Sequence, residues 1–593
     1  MHGYAACLVT TGSAVGYAFT RRSTRTKASF LSGRPLALLD LLTYTMLVLP
    51  FIISLLPACV LSSQPDRNVQ QTLHRPSEMN AYHPFESPGF DDYITTTLAD
   101  FLAPGLTIAV VHGDKTFSRA YGHANLDTKE PITPRTLFYA GSTTKSFTTA
   151  AMSHLVDSNA SEYAAITWTS KLADLIRDDF VLQDAHATNH ITLTDALSHR
   201  TGMPRHDMSW INGDPSAREQ VQQLRHLPSH HELRETWEYC NMMFTAVSHA
   251  IETLTGAAMG TLLREWFWEP LGMRETFYSI HDALAHAEAT DGVTMATGYL
   301  YDNSSKSYTS VPHSTIPPAN GAGGVISNVL DYTHWIRAFL HPSNPSNPVS
   351  PAAIQAMTSP HMLMPPGIQP TQGAAYGLGL ETSLYRGHRV VAHEGSINGY
   401  MTAMLWLPDA DWGVVMMQNA YSLAMEVIQW KIVDDFLRTP EAERADMARA
   451  ARGLRAKKLA RLANARRELY PDAGAVAAVA PALPLQAYEG TYTQPAYHNL
   501  TLSSSPPTER GEDAALGSLA LYSPSAHYLQ VSAVWDHVSG EEWYAHEQVG
   551  PGSFLADDLK KARFRVGVDG KVRGVEYQAE SALDEMAWFE RVA

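Results

Sequence analysis

The chain is poor in cysteine: Cys7, Cys59 and Cys240 are the only three in 593 residues, and the first two lie in an N-terminal leader. The body of the protein therefore carries one thiol, which excludes a disulfide-stapled scaffold. Basic residues are also in deficit, with 44 Lys and Arg against 60 Asp and Glu, a formal charge of −16 and a pI near 5.9. Nucleic-acid phosphates call for clustered cations over a broad surface, so no nucleic-acid partner is expected. The 26 histidines are scattered, without paired Cys or His ligand spacing, and neither a metal nor a cofactor is expected. There is no internal repeat. What is present is a globular composition, 45% hydrophobic and 18% charged, long enough for at least two domains of about 100 to 200 residues each.

Leu36 to Leu61 is an apolar run broken by Asp40 and a few small polar residues, preceded by Arg21, Arg22, Arg25, Lys27 and Arg34. It exceeds the roughly 20 residues that span a bilayer, and the upstream positive charge would keep its N-terminal end in the cytoplasm. Two readings stay open: a signal anchor, or a cleavable signal peptide beginning at Met46. Leu56-Pro-Ala-Cys59 also has the look of a lipoprotein cleavage box, and sequons stand at Asn159, Asn303 and Asn499. The expected location is the secretory pathway, anchored through residues 36–61 or secreted.

After a polar linker, Asp91 to Phe101 predicts a short helix, and Leu106–Val111 and Thr116–Tyr121 predict strands from their β-branched and aromatic content, joined at Gly113-Asp114 as a tight hairpin. Phe147, Ala151 and Leu155 recur every four residues and predict an amphipathic helix from near Ser142 to Asp157. The segment to about residue 290 reads as helix-rich. Strands return at Arg389–His393, Thr402–Leu407 and Gly413–Met417, and Ile428, Ile432 and Phe436 give a closing helix one apolar face. Glu441 to Glu468 reads as a basic helix and Ala475 to Leu483 as a linker. Beyond Tyr488, short strands separated by turn signals such as Asp569-Gly570 predict a small antiparallel barrel. The expected divisions are a leader at 1–85, a first domain at 86–440, a helical linker at 441–485 and a barrel at 486–593.

Three short motifs occur in order: Ser142-Thr-Thr-Lys145, Tyr239-Cys-Asn241 and His393-Glu-Gly395. Each alone is a chance-level match, and order and flanks carry the weight. A serine hydroxyl is a weak nucleophile at neutral pH, so a neighbouring group must take its proton: a lysine of depressed pKa or a tyrosinate. Lys145 lies one helical turn from Ser142, and burial beside cationic groups is expected to lower the pKa of both Lys145 and Tyr239. Asn241 points the same way as Tyr239 if that stretch is extended. The Ser142 amide and an edge at His393–Ser396 are candidate donors to an oxyanion, with Gly395 allowing close approach.

These motifs resemble the serine β-lactamase and penicillin-binding-protein superfamily, on the branch with class C β-lactamases, D-aminopeptidases and related esterases, peptidase family S12. Matching flanks are Pro104-Gly-Leu-Thr-Ile-Ala-Val110, Tyr121-Gly122, Thr136-Leu-Phe138, Leu197-Ser-His-Arg-Thr-Gly202, Ala322-Gly-Gly-Val-Ile-Ser-Asn-Val-Leu-Asp331 and Gly399-Tyr400. The resemblance implies an α+β fold, an antiparallel sheet flanked by helices with a helical subdomain, followed by a lipocalin-like barrel. It assigns Ser142 as the acylated nucleophile, Lys145 as its proton acceptor and Tyr239 as base and later acid, with Asn241, His393, Gly395 and Ser396 in substrate binding. His393 stands where β-lactamases keep a lysine and Glu394 where they keep a hydroxyl. Both departures remove groups that hold an antibiotic's carboxylate and point to an ester or peptide-like small molecule. Three functions remain open at this level: serine hydrolase, acyltransferase in polyketide tailoring, and a binding protein that has lost its chemistry. Cys240 reads as a small buried hydrophobe, and His199 and Arg200 as structural.

Overall fold

The computed structural model describes residues 83–592 apart from 212–214, 304, 317–318, 398, 475–477, 505–518, 523–530 and 550–557. The leader, with the apolar run at 36–61, lies outside the described residues; among these, no helix is long and apolar enough to cross a membrane.

A helix at Phe90–Asp100 precedes the strands Gly105–His112 and Lys115–Asn125, which meet at Gly113, held at φ +56° where a Cβ would be strained. This hairpin joins a nine-stranded sheet whose other central members come from the far end of the same domain. Gly105–His112 pairs antiparallel with Trp412–Gln418, which pairs in turn with Tyr400–Leu407 and then His388–Ile397. Every residue of Trp412–Gln418 and Tyr400–Leu407 is buried, because both faces are covered. On one face Trp412 stacks on Phe436 of the closing helix Ala424–Phe436 at 4.7 Å. On the other, a Cβ at Gly413 would meet Ile336 of helix Val329–Leu340 at 2.7 Å. The alternation is that of a strand.

Helix Thr144–Val156 departs from expectation. The four-residue period predicts one apolar face, yet all but His154 and Val156 are buried. It is a central helix enclosed on every side, with Phe147 stacked on Trp335 at 4.1 Å and its hydroxyls bonded inward, as in Thr148 Oγ1 to the Gly321 carbonyl at 2.6 Å.

The basic segment forms helix Met447–Ala463 and a short helix Ala465–Leu469. Eight antiparallel strands from Gly490–Gln494 to Ala587–Arg591 then close into a barrel through the Tyr492–Arg591 pairing. Asp569-Gly570 turns between Asp558–Val566 and Val572–Tyr577 as predicted. Trp535, Trp543, Tyr488, Tyr492 and Tyr577 are all fully buried, and Trp535 stacks on Tyr577 at 4.9 Å. Aromatic rings thus pack the barrel core, as in small filled barrels.

Candidate active site

Gly141–Thr143 forms a single 3-10 turn that leads into helix Thr144–Val156. Gly141 has φ +53°, and a Cβ there would meet the Ser396 nitrogen at 2.7 Å. A Cβ on Gly395 would in turn meet the Ala140 carbonyl at 2.0 Å and the Ser142 nitrogen at 3.0 Å. The two glycines therefore let the serine turn lie directly on the strand His388–Ile397. This sets the backbone around Ser142 close against that around Ser396, whose amides are the candidate oxyanion donors.

Tyr239 and Asn241 arrive from a different part of the chain. Cys240 between them is extended, with φ −134° and ψ 111°, so the two side chains share a side. The Tyr239 hydroxyl lies 2.8 Å from Ser142 Oγ. Lys145 is completely buried. Its Nζ lies 3.1 Å from Ser142 Oγ, 2.8 Å from Asn241 Oδ1 and 3.0 Å from the Ala322 carbonyl. That carbonyl is delivered by the Asn320–Gly323 turn, which Gly321 lets settle against the helix Asn241–Thr255: a Cβ there would meet Ser248 Oγ at 2.3 Å. Asn241 is fixed in turn by donating Nδ2 to Asp207 Oδ1 at 2.9 Å. Because a carboxylate only accepts, this bond decides which end of the amide faces Lys145.

The electrostatics separate the lysine from the tyrosine. Burial, helped by the Arg205 charge, holds the Lys145 amine well below its usual range. Tyr239 does not follow. Arg205 lies over its ring at 4.8 Å and favours the phenolate, but burial outweighs that charge and raises the phenol above its ordinary value. The expected depression of both groups therefore holds for the lysine alone.

His393 is also placed differently from expectation. It is 2% exposed, with Nδ1 donating to the Glu394 carbonyl at 2.6 Å and Nε2 accepting from the Tyr376 hydroxyl at 2.7 Å. Burial and the Lys145 charge push it down to about 3, so it is neutral. Its side chain does not line the cavity at Ser142, being turned into the protein by Tyr376. Glu394 projects to a separate cavity of about 410 Å³ lined also by Glu381 and Gln429, where Gln369 donates to it at 3.3 Å. It does not face Ser142.

The cavity at Ser142 has a volume of about 470 Å³, within the range of small-molecule sites. Ser142, Asn241 and Ser396 line it, with Ile316, Ile397 and Leu300 as apolar wall. Two sets of lining residues were not foreseen. Arg205 and Asp207 form an ion pair at 2.7 Å on the loop before helix Met208–Ile211; the signal was a charged pair in Pro204-Arg-His-Asp207, indistinguishable in sequence from a surface pair. The others are Glu547, Asp558, Lys560 and Glu580 of the barrel, for which the sequence carries no signal. The barrel also grips the Arg205–Asp207 loop itself. Glu580 accepts the His206 N–H at 2.6 Å, and Tyr497 bonds His206 Nδ1 while Nε2 donates to the Pro228 carbonyl at 2.9 Å. Cys240 is a fully buried free thiol pushed up to about 12 by burial. His199 takes the Cys240 N–H at 3.1 Å, and Arg200 pairs with Asp195 at 2.7 Å.

Fold and sequence together define the class. Residues 90–438 match the family model described as Beta-lactamase, and the chain belongs to that family, as a hydrolase of the β-lactamase fold. Among individual proteins it is similar to the unguisins hydrolase ungD′ of Aspergillus campestris, 38% identical over 70% of this chain and 77% of that protein. The unguisins hydrolase ungD of Aspergillus violaceofuscus is 33% identical over 85% of this chain and 90% of its own length, and a D-aminopeptidase of Gluconobacter oxydans is 25% identical over 55% and 58%. The octameric penicillin-binding protein homologue from Pyrococcus abyssi has a like fold, with a TM-score of 0.53 at 18% identity over 84% of this chain and 99% of that one.

Proposed function

We propose that this protein is a serine hydrolase that opens an amide or ester of a peptide-like small molecule through an acyl-enzyme on Ser142. The observation that carries the reading is the partner set of Lys145. Two of its three neighbours, Asn241 Oδ1 and the Ala322 carbonyl, only accept hydrogen bonds. A neutral amine has two N–H groups and one lone pair; the two acceptors use the N–H groups, and the lone pair falls to the Ser142 hydroxyl. Lys145 then takes the Ser142 proton as Oγ attacks the substrate carbonyl. Tyr239, a phenol held protonated by burial, sits on the same oxygen, gives its own proton to the leaving nitrogen or oxygen, and is restored by the proton that Lys145 took from Ser142. The Ser142 and Ser396 amides receive the oxyanion, and water releases the acyl group by the reverse sequence.

An amide of the kind its relatives are named for, an unguisin or a D-amino-acid peptide, is the proposed substrate. Intact Lys145 and Tyr239 contacts speak against a binding protein without chemistry. We place the protein outside the cytosol on its leader, which secretion into medium or protease protection in microsomes would test. The central test is intact-mass analysis after a fluorophosphonate or acyl probe. Wild type gains one adduct and Ser142→Ala gains none; full labelling of Ser142→Ala refutes the proposal.

A further inference from the structure

Three side chains from the nine-residue stretch 230–238 meet just ahead of Tyr239. His230 Nδ1 lies 3.1 Å from Glu238 Oε2, and His231 Nε2 lies 3.6 Å from the same oxygen. All three ligand atoms fall within 4.8 Å of one another, the one such group of three or more among the described residues. Ligands held tetrahedrally at about 2.0 to 2.1 Å from an ion stand about 3.3 to 3.4 Å apart, so the two measured separations bracket that value. A single ion pair needs only one histidine on the carboxylate; here two imidazoles reach the same oxygen, with their ring centroids 3.9 Å apart.

The surroundings are also those of a held site. Glu235 Oε2 lies 3.7 Å from His231 Nδ1, the second nitrogen of that ring. That carboxylate adds negative charge beside the ring and is itself held by the Glu232 N–H at 3.1 Å. The backbone is fixed from below: the His230 and His231 N–H groups both reach the Gly202 carbonyl, at 2.8 and 3.2 Å, and the Glu238 N–H reaches the His199 carbonyl at 2.7 Å. Gly202 has φ +75°, and a Cβ on it would meet the His231 carbonyl at 2.0 Å. Its freedom from a side chain is what seats the pair.

We propose that His230, His231 and Glu238 bind a divalent ion of the zinc class. Two imidazole nitrogens and one carboxylate oxygen are a borderline-soft donor set that suits Zn²⁺ and its late first-row neighbours over Ca²⁺ or Mg²⁺, which take oxygen ligands. Three protein ligands leave a tetrahedral ion one position for water. The bound ion ties the carboxylate of Glu238 to the loop across from it, and Glu238 is the residue preceding Tyr239. The site thus fastens the segment that carries the phenol to Ser142. This inference is independent of the reaction proposed above.

The test uses the untagged full chain, stripped with chelator, dialysed and titrated with Zn²⁺ by calorimetry. One equivalent should bind, and Co²⁺ in its place should give the intense visible absorption of a tetrahedral site. His231→Ala and Glu238→Gln should each weaken that equivalent at least tenfold, with melting in chelator matching wild type to show that the fold is intact. Glu238→Gln keeps a side chain that can hydrogen-bond both histidines, so its loss of affinity reads the metal bond. The stacked pair His186 and His190 is the control, and His186→Ala should leave the equivalent in place. The proposal is overturned if stripped wild type takes up no Zn²⁺ at 100 micromolar, or if His186→Ala removes the equivalent while His231→Ala keeps it.

Discussion

On the mechanism proposed above, Arg205 tunes the working pH of this site, and replacing it should move that pH in a stated direction. The proposed mechanism requires the neutral Lys145 amine, so under it the rate falls as pH drops through the lysine's pKa and this group governs the acidic limb. Arg205 lowers that pKa and Asp207 raises it. The Lys145 ammonium position and the Arg205 guanidinium each lie 4.8 Å from the Tyr239 ring centroid, which puts the two charges less than about 10 Å apart. At that separation and an effective dielectric of about 20, their repulsion is about 1.7 kcal/mol, or about one pH unit. The Arg205 side chain is 51% exposed, and solvent screening reduces this to about half a unit to one unit. Arg205→Gln should therefore shift the acidic limb of kcat/KM upward by that amount, and Asp207→Asn, which keeps an acceptor for Asn241, should shift it downward. The assay is a pH profile of ester or amide turnover from pH 5 to 9 at fixed ionic strength. An unmoved limb in both variants, or shifts of the opposite sign, would show that Lys145 is not the group being titrated.

Two further outcomes follow from other contacts. Glu580→Ala strips the buried His206 N–H of its acceptor, an orphaned donor worth about 1 to 3 kcal/mol; kcat and the melting temperature should both fall, and unchanged kcat would show that the barrel does not hold the Arg205–Asp207 loop. Glu426 is buried with Oε2 unbonded, and burial together with the Glu394 charge pushes it up to about 8. For an acid raised in the fold, stability is greatest below the unfolded value of 4.5 and is lost as pH rises toward 8. Glu426→Gln should thus raise unfolding stability by a margin that widens from pH 5 to 8 and then levels off, reaching up to about 5 kcal/mol at 1.36 kcal/mol per unit, read as a pH-dependent rise in melting temperature; a margin constant with pH would refute the assignment.

Much of the fold can be read without coordinates where one physical signal dominates. Gly113-Asp114 and Asp569-Gly570 announce hairpins because few residues tolerate the backbone they need, and alternation or closely spaced β-branched residues mark the strands around them. The helix after Ser142 shows how far this goes. Its period gives the helix and its ends, but burial on every side depends on residues such as Trp335 arriving from elsewhere. His393 shows the same limit at the site. A position in a motif says nothing of which way a side chain turns, and Tyr376, seventeen residues earlier in the chain, decides it.

The sequence by itself determined that a serine, a lysine and a tyrosine occur in an order and setting suited to nucleophilic chemistry, because those are covalent facts and local turn preferences. Only the tertiary structure decided that Lys145 is the depressed group while Tyr239 is raised, that Asp207 orients Asn241, and that barrel residues wall the cavity. Each of these depends on desolvation and Coulomb interaction, which act through space across hundreds of residues of chain and leave no local trace in it.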